Sequence, residues 1–151
     1  MRNEVNCVYL ACALTNVPAG RFRCYTEFVK AFAKQLDRAG LAVLCALENS
    51  DPQLAEYKKK RGPDLCYRLD RGMSGSVDAV RAEVSFPSLG TGIELQIAND
   101  AGKPVILLFS EYWRRKREAQ KKYLTSDGRR YNLQIGNGIV SIMAEGLPAV
   151  S

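Results

Sequence analysis

Apolar residues gather in four short runs, at residues 5–14, 41–47, 77–84 and 103–109, and each run is bounded by polar or turn-forming residues. Runs of this length without strict alternation are the pattern of parallel strands covered on both faces. Between the first two, residues 22–39 place Phe28, Val29, Phe32 and Leu36 on one helical face and Lys30, Lys34 and Asp37 on the other, with Gly40 as the stop. Residues 64–76 predict a further helix, weakened in its second half by Gly72 and Gly75. The most informative stretch is 77–98. Its strand run is stopped by Ser85 and Pro87, and from Gly90 onward Ile93, Ile97 and Ala98 recur at helical spacing. Ser88 or Thr91 is available as an N-cap, and Glu94 is expected in the first helical turn, at the carboxyl edge of the sheet. A helix start there carries unpaired N–H groups and partial positive charge, which favour a carboxylate or a phosphate.

Strands alternating with helices predict an α/β chain, a single-domain Rossmann-like (flavodoxin-like) three-layer sandwich with a mainly parallel sheet over residues 1–151. The loop at 15–20 then lies at the carboxyl end of the first strand, where open α/β sheets place ligands. Residues 48–61 are polar, with Asn49-Ser50-Asp51-Pro52 as a turn and helix start, and read equally as a substrate-facing lid or a plain surface helix. Beyond the fourth strand, 111–124 reads as a basic helix, 125–128 as a turn, and 135–143 as a last strand or a loop leading into a short helix.

Composition narrows the chemistry. With 151 residues, 46% hydrophobic and 25% charged, the chain has the make-up of one globular domain with a sizeable core. The net charge of +6 is concentrated between 110 and 132, where eight basic residues stand against three acidic ones. That stretch, with Tyr112, Trp113 and Tyr123, reads either as a solvated helix or as a surface for single-stranded nucleic acid. Cysteines at 7, 12, 24, 45 and 66 form no C-x-x-C pair and there is no histidine, so neither a metal nor a cofactor is expected. Cysteines in apolar segments suit small buried hydrophobes in a reducing cytoplasm. Without histidine, Ser-His-Asp and Cys-His catalysis are excluded, and carboxylates, tyrosine and lysine remain. No run approaches the ~18 apolar residues of a membrane span, and residues 7–14 have the length of a buried strand rather than the setting of a leader.

The block Pro87-Ser88-Leu89-Gly90, Gly92 and Glu94-Leu95, preceded by Ala82-Glu83-Val84-Ser85 and followed by Ala98 and Gly102-Lys103-Pro104-Val105, resembles the nucleoside 2-deoxyribosyltransferase-like superfamily. Within it, the 2'-deoxynucleoside 5'-phosphate N-hydrolases are the most similar branch. The resemblance covers roughly residues 5–109, and the block from Pro87 to Leu95 is its specific part. It implies that Glu94 is the nucleophile, that Asp70 is the aspartate preceding it, and that Tyr9 of the strand motif Val8-Tyr9-Leu10 lies in the active site. Ser88, with Gly90 and Gly92, would bind the 5'-phosphate. Ser141, in Ser141-Ile142-Met143-Ala144-Glu145-Gly146, would reach the phosphate in the neighbouring subunit of a homodimer with composite sites, which makes roughly 111–137 an insertion. The chain departs from its relatives after the strand tyrosine: Cys12, Ala13 and Thr15 stand where a Gly-Ser and an arginine are usual, and Arg21 or Arg23 is left to compensate.

Such chemistry suits these residue types. Breaking an N-glycosidic bond develops an oxocarbenium-like sugar, which asks for one carboxylate against the anomeric carbon and a second group to protonate the departing base. A covalent intermediate on Glu94 would pass the sugar to water in a hydrolase or to a second base in a transferase. Glu83, at a strand end, is read instead as a loop anchor that accepts backbone N–H bonds. A silent domain serving a partner is the third reading, and it entails no base release.

Overall fold

The computed structural model describes residues 5–50, 62–110 and 140–150. Among the described residues four strands, β1 (Cys7–Cys12), β2 (Ala42–Cys45), β3 (Ala79–Glu83) and β4 (Val105–Leu108), form one sheet in the order β2-β1-β3-β4, every pair parallel. The connections run through α1 (Ala19–Arg38), then α2 (Ala46–Asn49) and α3 (Gly62–Ser76), then α4 (Leu89–Asp100). The order reverses direction at β1, and right-handed crossovers therefore set α1 on one face and α3 with α4 on the other. This is the mixed α/β, flavodoxin-like arrangement expected from the sequence.

Register and alternation divide the sheet. Val8 pairs with Ala79, Leu10 with Arg81 and Cys12 with Glu83, so these residues share the α1 face, where Val8 and Ala79 pack on Leu36. Tyr9 and Ala11 pair with Val80 and Ala82 on the opposite face, beneath α3 and α4. Helix α1 buries Tyr25, Val29, Ala33 and Leu36 at 3.6 spacing, while Phe28 stays 40% exposed and stacks on Phe32. Both α1 and α4 end in a Schellman turn. Gly40 (φ 87°) and Gly102 (φ 65°) take the left-handed position, and the next residue's N–H bonds back to Leu36 and Ala98 respectively.

One boundary moves relative to the sequence reading, and two open readings are resolved. The second strand stops at Cys45, because Ala46 to Asn49 turn into a short helix in which the Asn49 side chain accepts from the Cys45 N–H. Helix α3 runs unbroken through Gly72 and Gly75 to Ser76, since its packing on α4 outweighs two unfavourable propensities. The C-terminal segment contributes α5 (Ile142–Glu145) and a parallel bridge from Val150 to Val105, which covers the β4 edge. Of the segment 48–61, read as a lid or a plain surface helix, residues 51–61 lie outside the described residues, as does the basic segment at 111–137.

Candidate active site

Helix α4 presents the reverse of an ordinary amphipathic pattern. Its buried positions are Thr91, Glu94, Leu95 and Ala98, whereas Ile93 is 44% exposed and Leu89 83% exposed. Of the apolar residues at helical spacing, Ala98 faces the core, whereas Ile93 and Ile97 line a cavity between α3 and α4, and the Glu94 side chain is buried. Glu94 is also not in the first turn, which holds no acidic residue. It sits one turn deeper, where burial rather than the helix dipole governs its charge.

Tyr9 is likewise displaced from the expected strand end. It is the third residue of β1, fully buried, on the face below α3 and α4. Asp70, on α3, meets it there: the Tyr9 hydroxyl donates to Asp70 Oδ1 at 3.5 Å, and the Glu94 carboxyl is close enough to act on the titration of Tyr9. Residues from β1, α3 and α4 therefore converge on one point. The cavity that Asp70 and Glu94 border has a volume of about 390 Å³ and is walled by Cys66, Tyr67, Asp70 and Arg71 on α3. On α4 its wall is Gly90, Ile93, Glu94 and Ile97. Mostly apolar walls with a few converging polar groups, at a size that takes a nucleoside-sized molecule, are usual for a small-molecule site.

The electrostatics are those of two crowded carboxyls. Burial, then the neighbouring charge of Asp70, pushes Glu94 up from 4.5 to about 8, against the Tyr9 hydrogen bond, which favours the ionised form. Glu94 Oε2 has no hydrogen-bond partner among the described residues. Burial, followed by the charges of Glu94 and Asp70, holds the Tyr9 phenol far above its ordinary range, so it stays a donor. A buried, unpartnered carboxyl oxygen on a residue that borders a cavity, with a titration range near neutrality, suits a reacting group.

Ser88 caps α4: its Oγ accepts from the Thr91 N–H at 3.2 Å. Gly90 borders the cavity, and a Cβ at Gly92 would meet nothing within 4 Å, so neither glycine is required by packing and both leave the helix start open. Ser141 does not line the cavity; it caps α5 by accepting from the Met143 N–H. Arg23, a possible phosphate substitute, is exposed and paired with Glu27 at 3.0 Å. Glu83 is the expected loop anchor. It accepts from the Ser85 N–H and hydroxyl and from Tyr25 Oη at 2.8 Å, and Tyr25 Oη in turn accepts from the Ala13 N–H. The Ser110 N–H joins this network through Ser85 Oγ, which ties the ends of β1, β3 and β4 together. Burial raises the Glu83 carboxyl, while Ser85 and Tyr25 offset that rise by hydrogen bonding.

Sequence reasoning missed Cys66, although its place four residues before Asp70 on one helix is a readable signal. Among the described residues no three Cys, Asp or Glu side chains gather as a metal site, and no helix is long and apolar enough to cross a membrane. All five cysteines are free; Cys12 and Cys45 are buried, and Cys24 is exposed.

No family model and no curated protein matches the sequence. Solved structures do. A CMP N-glycosidase of Clostridium botulinum, BcmB, is 26% identical over 71% of this chain and 74% of that one, with a TM-score of 0.52. A 2-deoxyribosyltransferase of Bacillus psychrosaccharolyticus is 23% identical over 68% and 72%, with a TM-score of 0.51. A conserved protein of Enterococcus faecalis is 18% identical over 95% and 86%, with a TM-score of 0.59. The chain has the nucleoside 2-deoxyribosyltransferase-like fold.

Proposed function

We propose that the protein hydrolyses the N-glycosidic bond of a (deoxy)nucleoside 5'-monophosphate through Glu94, releasing free base and sugar phosphate. The observation that carries this reading is the meeting of Asp70 and Glu94 on one cavity, with the buried Tyr9 hydroxyl donating to Asp70 from the sheet. The likeness to a CMP N-glycosidase points the same way.

In the first step a Glu94 oxygen bonds to the anomeric carbon as the bond to the base nitrogen breaks. The electron pair leaves with the base, which takes a proton through Asp70. Water then attacks the same carbon, its proton passes to Asp70, and the ester electrons return to Glu94. Tyr9, held as a donor, steadies the carboxylate between these steps. Because Glu94 attacks only when ionised, its range near 8 keeps most of this carboxyl protonated at pH 7 and favours the reaction at higher pH.

The 5'-phosphate is assigned to the start of α4. Ser88 Oγ accepts from Thr91, and its own proton is left to donate to a phosphate oxygen beside the exposed N–H groups of the first turn. Exposed Tyr67, Leu89 and Ile93 on α3 and α4 favour a second copy of the chain against them, as a homodimer whose Ser141 completes the phosphate site. The test is a chromatographic screen for free base over nucleosides and their monophosphates, with and without a second base. Release from monophosphates without an acceptor supports the proposal; exchange only between free nucleosides replaces it with the transferase reading, and no release from any of them refutes both.

A further inference from the structure

We propose that Cys66 is a positioning residue that holds the Asp70 carboxyl against Tyr9 and Glu94; the proposal rests on the catalytic reading of that site. Cys66 lies one turn before Asp70 on α3, and its Sγ is 3.4 Å from Asp70 Oδ2. The other carboxyl oxygen, Oδ1, receives the Tyr9 hydroxyl at 3.5 Å. Each oxygen of Asp70 thus has its own donor, one from the helix that carries it and one from the sheet. A carboxyl held on one side only, by a bond as long as 3.5 Å, is free to turn about its last torsion toward the open side of the cavity. With both sides held, its plane is fixed.

The choice of a thiol has a consequence. Cys66 Sγ is also 3.6 Å from the Ser50 carbonyl oxygen, and a thiol has a single proton. When Asp70 is ionised, that proton goes to Oδ2. When Asp70 takes up a proton on Oδ2 during turnover, the Asp70 hydroxyl donates to sulfur and the thiol proton turns to the Ser50 carbonyl. The same side chain therefore supports both states of a group that must gain and lose a proton in each cycle. Around Asp70 stand Tyr9 from β1, Glu94 from α4, and Cys66 and Arg71 from α3. Cys66 and Glu94 also border the same cavity, and Oε2 of Glu94 is buried without a hydrogen-bond partner among the described residues.

The experiment compares Cys66→Ala and Cys66→Ser in the full chain. For deoxynucleoside monophosphates, Cys66→Ala is expected to lower kcat about tenfold with KM changed less than about twofold, and Cys66→Ser to retain most of the rate. A readout independent of turnover is the carboxyl carbon-13 titration of Glu94, whose midpoint in Cys66→Ala moves down from about 8 because the Asp70 charge is no longer held beside it. Wild-type rate in both variants, or equal losses in both with the Glu94 midpoint unmoved, overturns the proposal. If the wild type releases no base, the functional reading fails, and the titration still decides the role of Cys66. Should Cys66→Ala not fold, Cys66→Val, of similar volume and without a donor, takes its place.

Discussion

Replacing Glu94 by glutamine separates the demands of catalysis from those of folding. The carboxyl is raised from 4.5 to about 8, first by burial and then by Asp70. The folded protein therefore holds this proton more tightly than the unfolded chain does. Its contribution to stability is complete below about pH 4.5 and is lost as pH rises through about 8. A neutral amide escapes that loss. Relative to wild type, Glu94→Gln is expected to gain little at pH 4, at most about 3 kcal/mol at pH 7 and at most about 5 kcal/mol at pH 9, since each unit between the two values is worth 1.36 kcal/mol. Half of the upper figure still raises Tm by roughly 5–10 °C in a chain of this size. The assay is thermal unfolding of both proteins from pH 4 to pH 9, beside base release under the same conditions. The variant should be more stable at high pH and nearly inactive. A Tm difference that stays constant across the range would refute the burial argument, whatever the activity shows.

In the wild type, kcat/KM for a monophosphate should rise through a limb near pH 8; a flat profile between pH 6 and 9 would contradict nucleophilic attack by a raised Glu94. Ser88→Ala should cost about 1 kcal/mol of stability through the lost cap and at least about tenfold in preference for the monophosphate over its nucleoside. Equal use of both substrates by wild type and variant removes the phosphate site. Tyr25→Phe strips one partner from Glu83 and one from the Ala13 N–H, so denaturant unfolding should show a loss of about 1–3 kcal/mol, with KM little changed. Light scattering at assay concentration should find a dimer, and a fully active monomer would end the composite-site proposal.

The fold was legible because every strand run is too short for a helix and every helical stretch carries a 3.6 period or a clear stop. What blurred was local. Residues 46–49 look apolar enough to extend β2, yet a side-chain bond from Asn49 to the Cys45 N–H begins a helix there. The block from Ser88 to Glu94 announced both a capped helix and its chemistry, but not the turn in which Glu94 sits. Ile93, Ile97 and Ala98 share a helical spacing, yet of these Ala98 faces the core while Ile93 and Ile97 line the cavity, and the Glu94 side chain is buried. Asp70 stood out only through its resemblance to a family position, since spacing alone gives no sign that α3 packs on α4. The Cys66–Asp70 pair was readable as an i,i+4 spacing on one helix, whereas the Tyr25–Glu83 link depends on a contact between distant elements, and nothing in the pattern of either segment encodes it.

The most direct test of Glu94 as nucleophile is to trap the intermediate. A 2'-fluoro nucleoside monophosphate slows both steps, because fluorine destabilises the oxocarbenium-like transition state, and the covalent sugar accumulates where its hydrolysis is slowest. Mass spectrometry of the quenched, digested protein should find a fluorinated sugar phosphate on the peptide that contains Glu94, and none in Glu94→Gln. Base release without any adduct on that peptide, or an adduct on the Asp70 peptide instead, would contradict the account.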